Sequence, residues 1–282
     1  MQCEIPNIRL MPMLRMYQET EIHALASMIA AIVLIIAAAS DVRTRRVPDR
    51  YWAAGAVMLL PLASMDVMSE ADVRAAVAYL VGSALLMLYA LSPRISGPVA
   101  AIPLTVATAM MVIAACSGGP VASLPLFVMF LAMYRMGILA GGADAKCLML
   151  LALSFPYPAP GIAWGLGVLP PVLLTLLFAA VSTVVAVPAV CLARGSNVRH
   201  PTRYPMRVDA VDTTFEWPVE RMEGNQRIWC RPFPDEADAI MEEFRREGAT
   251  EVMVTPVVPF ILPIAAGFIM TAVLGDPFSV LI

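Results

Sequence analysis

Apolar stretches long enough to cross a lipid bilayer recur along nearly the whole chain. A helix spanning the hydrocarbon core needs roughly 20 predominantly apolar residues, within a range of about 17–25. Candidates lie at 24–40, 51–65, 71–91, 98–116, 121–139 and 257–274, and the stretch 145–193 holds two more, broken at Phe155–Gly161. The sequence therefore predicts eight helices, or seven if 145–193 is re-entrant. The chain is 60% hydrophobic and 15% charged, with a mean hydropathy of +0.76. Soluble domains are about 45–50% apolar and about 25% charged. The fold class expected is an all-α polytopic membrane protein with a small cytoplasmic α+β insert.

Other classes fall away on charge and ligand content. A net charge of −3 and a pI near 5.5 exclude a basic nucleic-acid binder. His23 and His200 are far apart, which speaks against a multi-histidine metal site. The cysteines Cys3, Cys116, Cys147, Cys191 and Cys230 form no C-x-x-C pair, so neither a zinc knuckle nor a disulfide framework is indicated. No metal and no cofactor are expected.

Ala37 and Ala39 imitate a signal-peptide cleavage site, but the flanking charges are wrong for one. Glu19 and Glu21 precede the first apolar run, and Arg43, Arg45, Arg46 and Arg50 follow it. The positive-inside rule puts that basic end in the cytoplasm. Residues 1–23 then form an external flank and 24–193 a membrane helical domain. Residues 194–255 are a cytoplasmic insert, and 256–282 hold the last span with an external C-terminus. The loops at Arg94 and Lys146 also fall inside, and Arg74 is the main exception. The insert carries 12 of the 22 acidic residues. Within it, 234–248 reads as a short helix with Asp235 as N-cap and Gly248 as terminator. Glu251–Val254 reads as a strand.

Ionisable residues at membrane-helix ends are rare and default to function. Asp41 closes the first span and Asp144 opens the sixth. Four spans separate them, an even number, so both carboxylates fall on the cytoplasmic side. Adjacent carboxylates share a proton and titrate as a pair. One then serves as general base on water while the other, protonated, polarises a peptide carbonyl. Gly141 and Gly142 leave room for an extended backbone beside Asp144.

Asp41 with Val47-Pro48-Asp49, together with Gly141-Gly142-Ala143-Asp144 and Lys146, resembles the two aspartate motifs of the type IV prepilin peptidases. These are GxGD-type aspartic membrane proteases. Val254–Phe260 resembles the start of the last helix in their archaeal branch, the preflagellin (prearchaellin) and prepilin peptidases. The resemblance implies a catalytic pair Asp41 and Asp144, with Gly141, Gly142, Ala143 and Lys146 as motif residues near the substrate. It also implies removal of a short basic leader from prepilin- or preflagellin-like precursors of type IV pili or the archaellum, at the cytoplasmic membrane face. The partners are those precursors and the lipid bilayer, with no nucleic acid and no oligomeric state indicated. Ala143 replaces the second motif glycine, Asp49 replaces the usual asparagine, and 71–116 looks like an added helical hairpin. The cysteine-rich segment of bacterial relatives is missing, so protease activity alone is implied.

Plainer roles stand beside these. Asp41 is equally a helix-end partner for arginine, and Asp144 an N-cap. Asp49 is expected to cap a helix, while Asp66 lies at the external end of the second span. Arg135 either snorkels to the interface or pairs with Asp144. The arginine cluster mainly anchors the chain, and Lys146 sets orientation or sits near the pair. Gly82, Gly137 and Gly141 fit helix-packing surfaces. Two rival functions remain: a proton- or cation-coupled transporter, and a non-catalytic pilus assembly platform.

Overall fold

The computed structural model of the chain describes residues 10–92, 98–139, 141–157, 169–196, 201–224, 226–230 and 236–277. It is an all-α membrane bundle carrying a small α+β insert, as the hydropathy predicts. The bundle helices are α1 (Leu10–Thr44), α2 (Asp49–Glu70), α3 (Val73–Leu91), α4 (Pro98–Cys116), α5 (Ser123–Arg135), α6 (Gly142–Ser154) and α7 (Pro171–Ala193). After the insert comes α9 (Ile261–Leu274). Among the described residues, four helices are long and apolar enough to span a bilayer, namely Glu21–Thr44 of α1, α2, α3 and α7. Helices α5 and α6 have 13 residues each, a rise of about 20 Å at 1.5 Å per residue. The 145–193 stretch is two separate helices.

Local chemistry fixes several boundaries. Pro48 precedes α2 with φ −61° and ψ 140°, and proline pre-sets an extended approach of this kind. Asp72 caps α3, accepting the Ala75 N–H at 2.7 Å. Pro171 opens α7, where a missing N–H is harmless. Gly137 has φ 72° and no neighbour within 4 Å of where a side chain would begin. It therefore serves the turn after α5, not the helix-packing surface expected of it.

The core is built from Trp52, Tyr79, Phe127, Phe130, Leu148 and Leu153, all fully buried. A buried tyrosine hydroxyl needs a partner, and Tyr79 donates to the Leu153 carbonyl at 2.7 Å, with Ser123 Oγ at 3.1 Å. Glycine lets helices approach closely, as in other membrane bundles. Gly82 of α3 faces α4, where an added Cβ would lie 2.9 Å from Met111 Cγ and 3.1 Å from the Ala107 carbonyl. Gly267 brings α9 onto α7 so tightly that a Cβ would overlap the Thr175 carbonyl.

The insert contains β1 (Tyr204–Arg207), β2 (Glu216–Pro218), β3 (Glu220–Glu223), β4 (Gln226–Trp229), α8 (Ala237–Arg246) and β5 (Glu251–Pro256). One antiparallel sheet has the order β1-β5-β2, with Tyr204 opposite Val254 and Trp217 opposite Thr255. Strands β3 and β4 form a separate pair, joined through Gly224 at φ 60°. The apolar face of α8, Ile240, Met241 and Phe244, packs with Tyr204, Val252, Val254 and Cys191 of α7. The expected strand becomes β5, two residues longer than foreseen. The expected helix becomes α8, with Arg245 and Arg246 in its last turn and Gly248 at φ 67° after it. Asp235 lies outside the described residues.

The α7–α9 contact leaves no room for growth. Gly267→Ala should destabilise the protein by about 1–3 kcal/mol, read as a lowered melting temperature in detergent against an Ala266→Gly control.

Candidate active site

Four helix ends converge on one cavity of about 650 Å³. The end of α1 and the following turn supply Asp41, Arg45, Arg46, Val47 and Pro48, the first residue of α2 is Asp49, and the start of α6 supplies Gly141–Asp144. Val258, Pro259 and Phe260, leading into α9, complete the lining. The structure thus brings together Asp41, Gly141, Gly142, Ala143 and Asp144. The two carboxylates are near enough for the charge of Asp41 to act on Asp144.

Each carboxylate is placed by a helix terminus. The first N–H groups of a helix lack intrahelical acceptors, and the Ile261 backbone at the start of α9 lies near enough to act on the Asp41 carboxylate. Asp144 belongs to the first turn of α6, whose N-cap position is Gly141. It is therefore not the N-cap itself, as one plain reading expected. Its carboxylate folds back over Gly141 so closely that a Cβ there would overlap it. At Gly142 a Cβ would meet the Tyr134 hydroxyl at 3.3 Å.

Lys146 is not among the cavity-lining residues. Its ammonium lies 2.5 Å from Asp49 Oδ1, linking α6 to the first turn of α2. Asp49 makes no side-chain capping bond, contrary to expectation, because it is the first helical residue and its carboxylate is turned to Lys146. With Asp49 nearly half exposed, such a pair contributes at most about 1 kcal/mol. Arg135 donates to the Tyr89 hydroxyl at 3.1 Å. Asp66 is buried, with His23 Nε2 at 3.3 Å, and does not line the cavity.

Arg45 is the site residue whose specific contacts the sequence reading missed. Its Nη2 donates to the Val257 carbonyl at 2.5 Å, and its guanidinium lies 5.0 Å from the centroid of the Phe215 ring. Burial pushes its pKa down, against the charges of Asp41, Glu216 and Asp212 that raise it. The available signal was its spacing, four residues after Asp41 and hence on the same helical face. Nearby, Arg194 donates to the Tyr204 hydroxyl at 2.5 Å and to Glu216 Oε1 at 3.0 Å. These hydrogen bonds hold its pKa above the usual range. Among the described residues, no group of three or more His, Cys, Asp or Glu side chains is arranged to hold a metal ion.

A carboxylate pair in a cleft among apolar helices suits a membrane-embedded hydrolase. Residues 202–277 match the family model of the archaeal peptidase A24 C-terminus, type II. The match covers the C-terminal part of the chain and is a likeness to the archaeal prepilin and preflagellin peptidases. It spans the β1-β5-β2 sheet, the cavity-lining Val258–Phe260 and α9, but neither aspartate motif. No curated protein matches the chain.

The overlap at Gly141 gives a direct test. Its φ of −91° and ψ of 117° suit alanine, and the nearest atoms that a Cβ there would meet are those of the Asp144 carboxylate. On the reading of Asp144 as a catalytic carboxylate, precursor cleavage by Gly141→Ala should fall about 10²-fold, the scale of a displacement of about 1 Å in a reacting group, while the melting temperature stays near wild type.

Proposed function

We propose that the chain is an aspartic endopeptidase that removes the short basic leader of prepilin- or preflagellin-like precursors at the cytoplasmic membrane face. The observation carrying this reading is that Asp41 and Asp144, far apart in sequence, line one cavity together. In this reading residues 24–193 and 256–282 are the membrane part, residues 194–255 the cytoplasmic insert, and no cofactor takes part.

The ionised member of the pair takes a proton from water as its oxygen attacks the scissile carbonyl carbon. The protonated member donates its proton to the carbonyl oxygen as the tetrahedral centre forms. Collapse of that centre breaks the C–N bond. The carboxyl that gained the water proton passes it to the departing amine, and the other recovers its own from the gem-diol hydroxyl. Gly141, Gly142 and Ala143 present a small-residue wall along which an extended peptide would lie, and Lys146 supports it through Asp49.

A basic leader must tolerate the arginines after Asp41. Arg45 is directed to Val257 and Phe215, and Asp212 and Glu216 act on it electrostatically. The acid-rich insert then offers the leader its counter-charges. The test is leader removal from a candidate precursor, followed by gel shift. Asp41→Asn and Asp144→Asn should each lower the rate by at least about 10³-fold, within the range for general acid–base groups, with expression unchanged. Normal processing by either variant would overturn the carboxylate pair, and no processing by the wild-type chain would favour a transporter or an assembly platform.

A further inference from the structure

Among the described residues, Arg45 is the one non-glycine residue with positive φ, at 54°. A side chain with a Cβ is disfavoured in this region. Such a conformation persists where surrounding contacts over-determine it, and those places concentrate at functional sites.

The contacts that hold Arg45 form a closed circuit. Its Nη2 donates to the Val257 carbonyl, and its guanidinium faces the Phe215 ring. The Val257 N–H donates to the Phe215 carbonyl at 2.7 Å. The end of α1, the turn before β2 and the connection from β5 to α9 are thereby joined at one point. Asp41 adjoins the circuit. The Arg45 N–H donates to the Asp41 backbone carbonyl at 2.9 Å, and the Ile261 backbone, four residues beyond Val257, lies near enough to act on the Asp41 carboxylate. Val257 and Ile261 lie on the same connection from β5 into α9, so the contact that fixes Val257 also bears on the chain beside Asp41.

A cation serving only to anchor the membrane edge would need none of this. Arginine is suited to it because its planar guanidinium donates in the plane while an aromatic ring covers its face, and lysine has no such plane. The buried Arg45 Nε has no hydrogen-bond acceptor among the described residues, so the Val257 bond and the ring contact are the interactions to test.

We propose that Arg45 is a positioning residue: by clamping Phe215 and Val257 to the end of α1, it sets Asp41 in the cavity and makes the insert part of the active-site apparatus. This rests on the reading of Asp41 as a catalytic carboxylate.

The test uses the full-length chain in detergent with one precursor substrate, comparing Arg45→Gly, Arg45→Lys, Phe215→Leu and Asp41→Asn. Glycine adopts φ near 54° without strain, so Arg45→Gly removes the side chain while relieving the backbone, and its melting temperature should stay near wild type. Its kcat should fall between about 10-fold and about 10²-fold with KM nearly unchanged, as for a displaced catalytic group. Arg45→Lys should fail to restore kcat, and Phe215→Leu should lose part of it. Wild-type kcat in Arg45→Gly or Arg45→Lys, with Asp41→Asn inactive, overturns the positioning role and leaves the carboxylate pair standing. A loss confined to KM also overturns it, since Arg45 would then be binding substrate. Should Arg45→Gly fail to fold, wild-type kcat in both Arg45→Lys and Phe215→Leu refutes the clamp, and a kcat loss in both supports it. An active Asp41→Asn removes the carboxylate-pair reading and this proposal with it.

Discussion

The contact between the start of α9 and Asp41 is the constraint around which the site is organised. A helix end within or beside a bilayer must find protein partners for its free backbone groups, because lipid supplies none. The Ile261 backbone at the start of α9 lies near enough to act on the Asp41 carboxylate. Here α9 packs against α1, and Gly267 allows the same helix to lie flush on α7. The start of α6 then closes the cavity from the other side, with Lys146 tying it to α2. These helix ends are mutually dependent, so moving one helix alters the surroundings of a carboxylate on another.

The insert belongs to the same arrangement. A segment of roughly 60 residues buries too little of its own surface to be robust alone. Its core borrows Cys191 from α7, and β5, central in the sheet, leads directly toward α9. The hydrogen bonds of Arg194 to Tyr204 and Glu216 fasten the sheet to the end of α7. The family match runs continuously from this sheet through α9, treating the two as one unit. The cavity explains the grouping, since Val258–Phe260 between them form part of its wall.

Much of this was legible in the sequence because bilayer physics is legible. Apolar blocks gave the helices, and parity alone put Asp41 and Asp144 at the same end of the bundle. The rest depends on contacts with no local signature. Lys146 and Asp49 are 97 positions apart, and nothing in either neighbourhood announces the pair. The order β1-β5-β2 places the last strand between two earlier ones, a pairing that alternation along a strand does not encode. Gly137 and Gly141 looked alike as small residues near helix ends. One is required by a positive φ and the other by the carboxylate folded over it, and only coordinates separate those reasons.

Arg45 departs from the anchoring role that its neighbouring arginines fit. Four cations after an apolar run satisfy the positive-inside rule, and that rule asks nothing about where each side chain points. Arg43 and Arg46 are more exposed than Arg45, as anchoring charges should be. Arg45 turns inward because its backbone enters the left-handed region immediately after α1. The charges of Asp41, Asp212 and Glu216 compensate part of its burial. Arg45 is thus committed to the fold, whereas Arg46, which also lines the cavity, stays exposed.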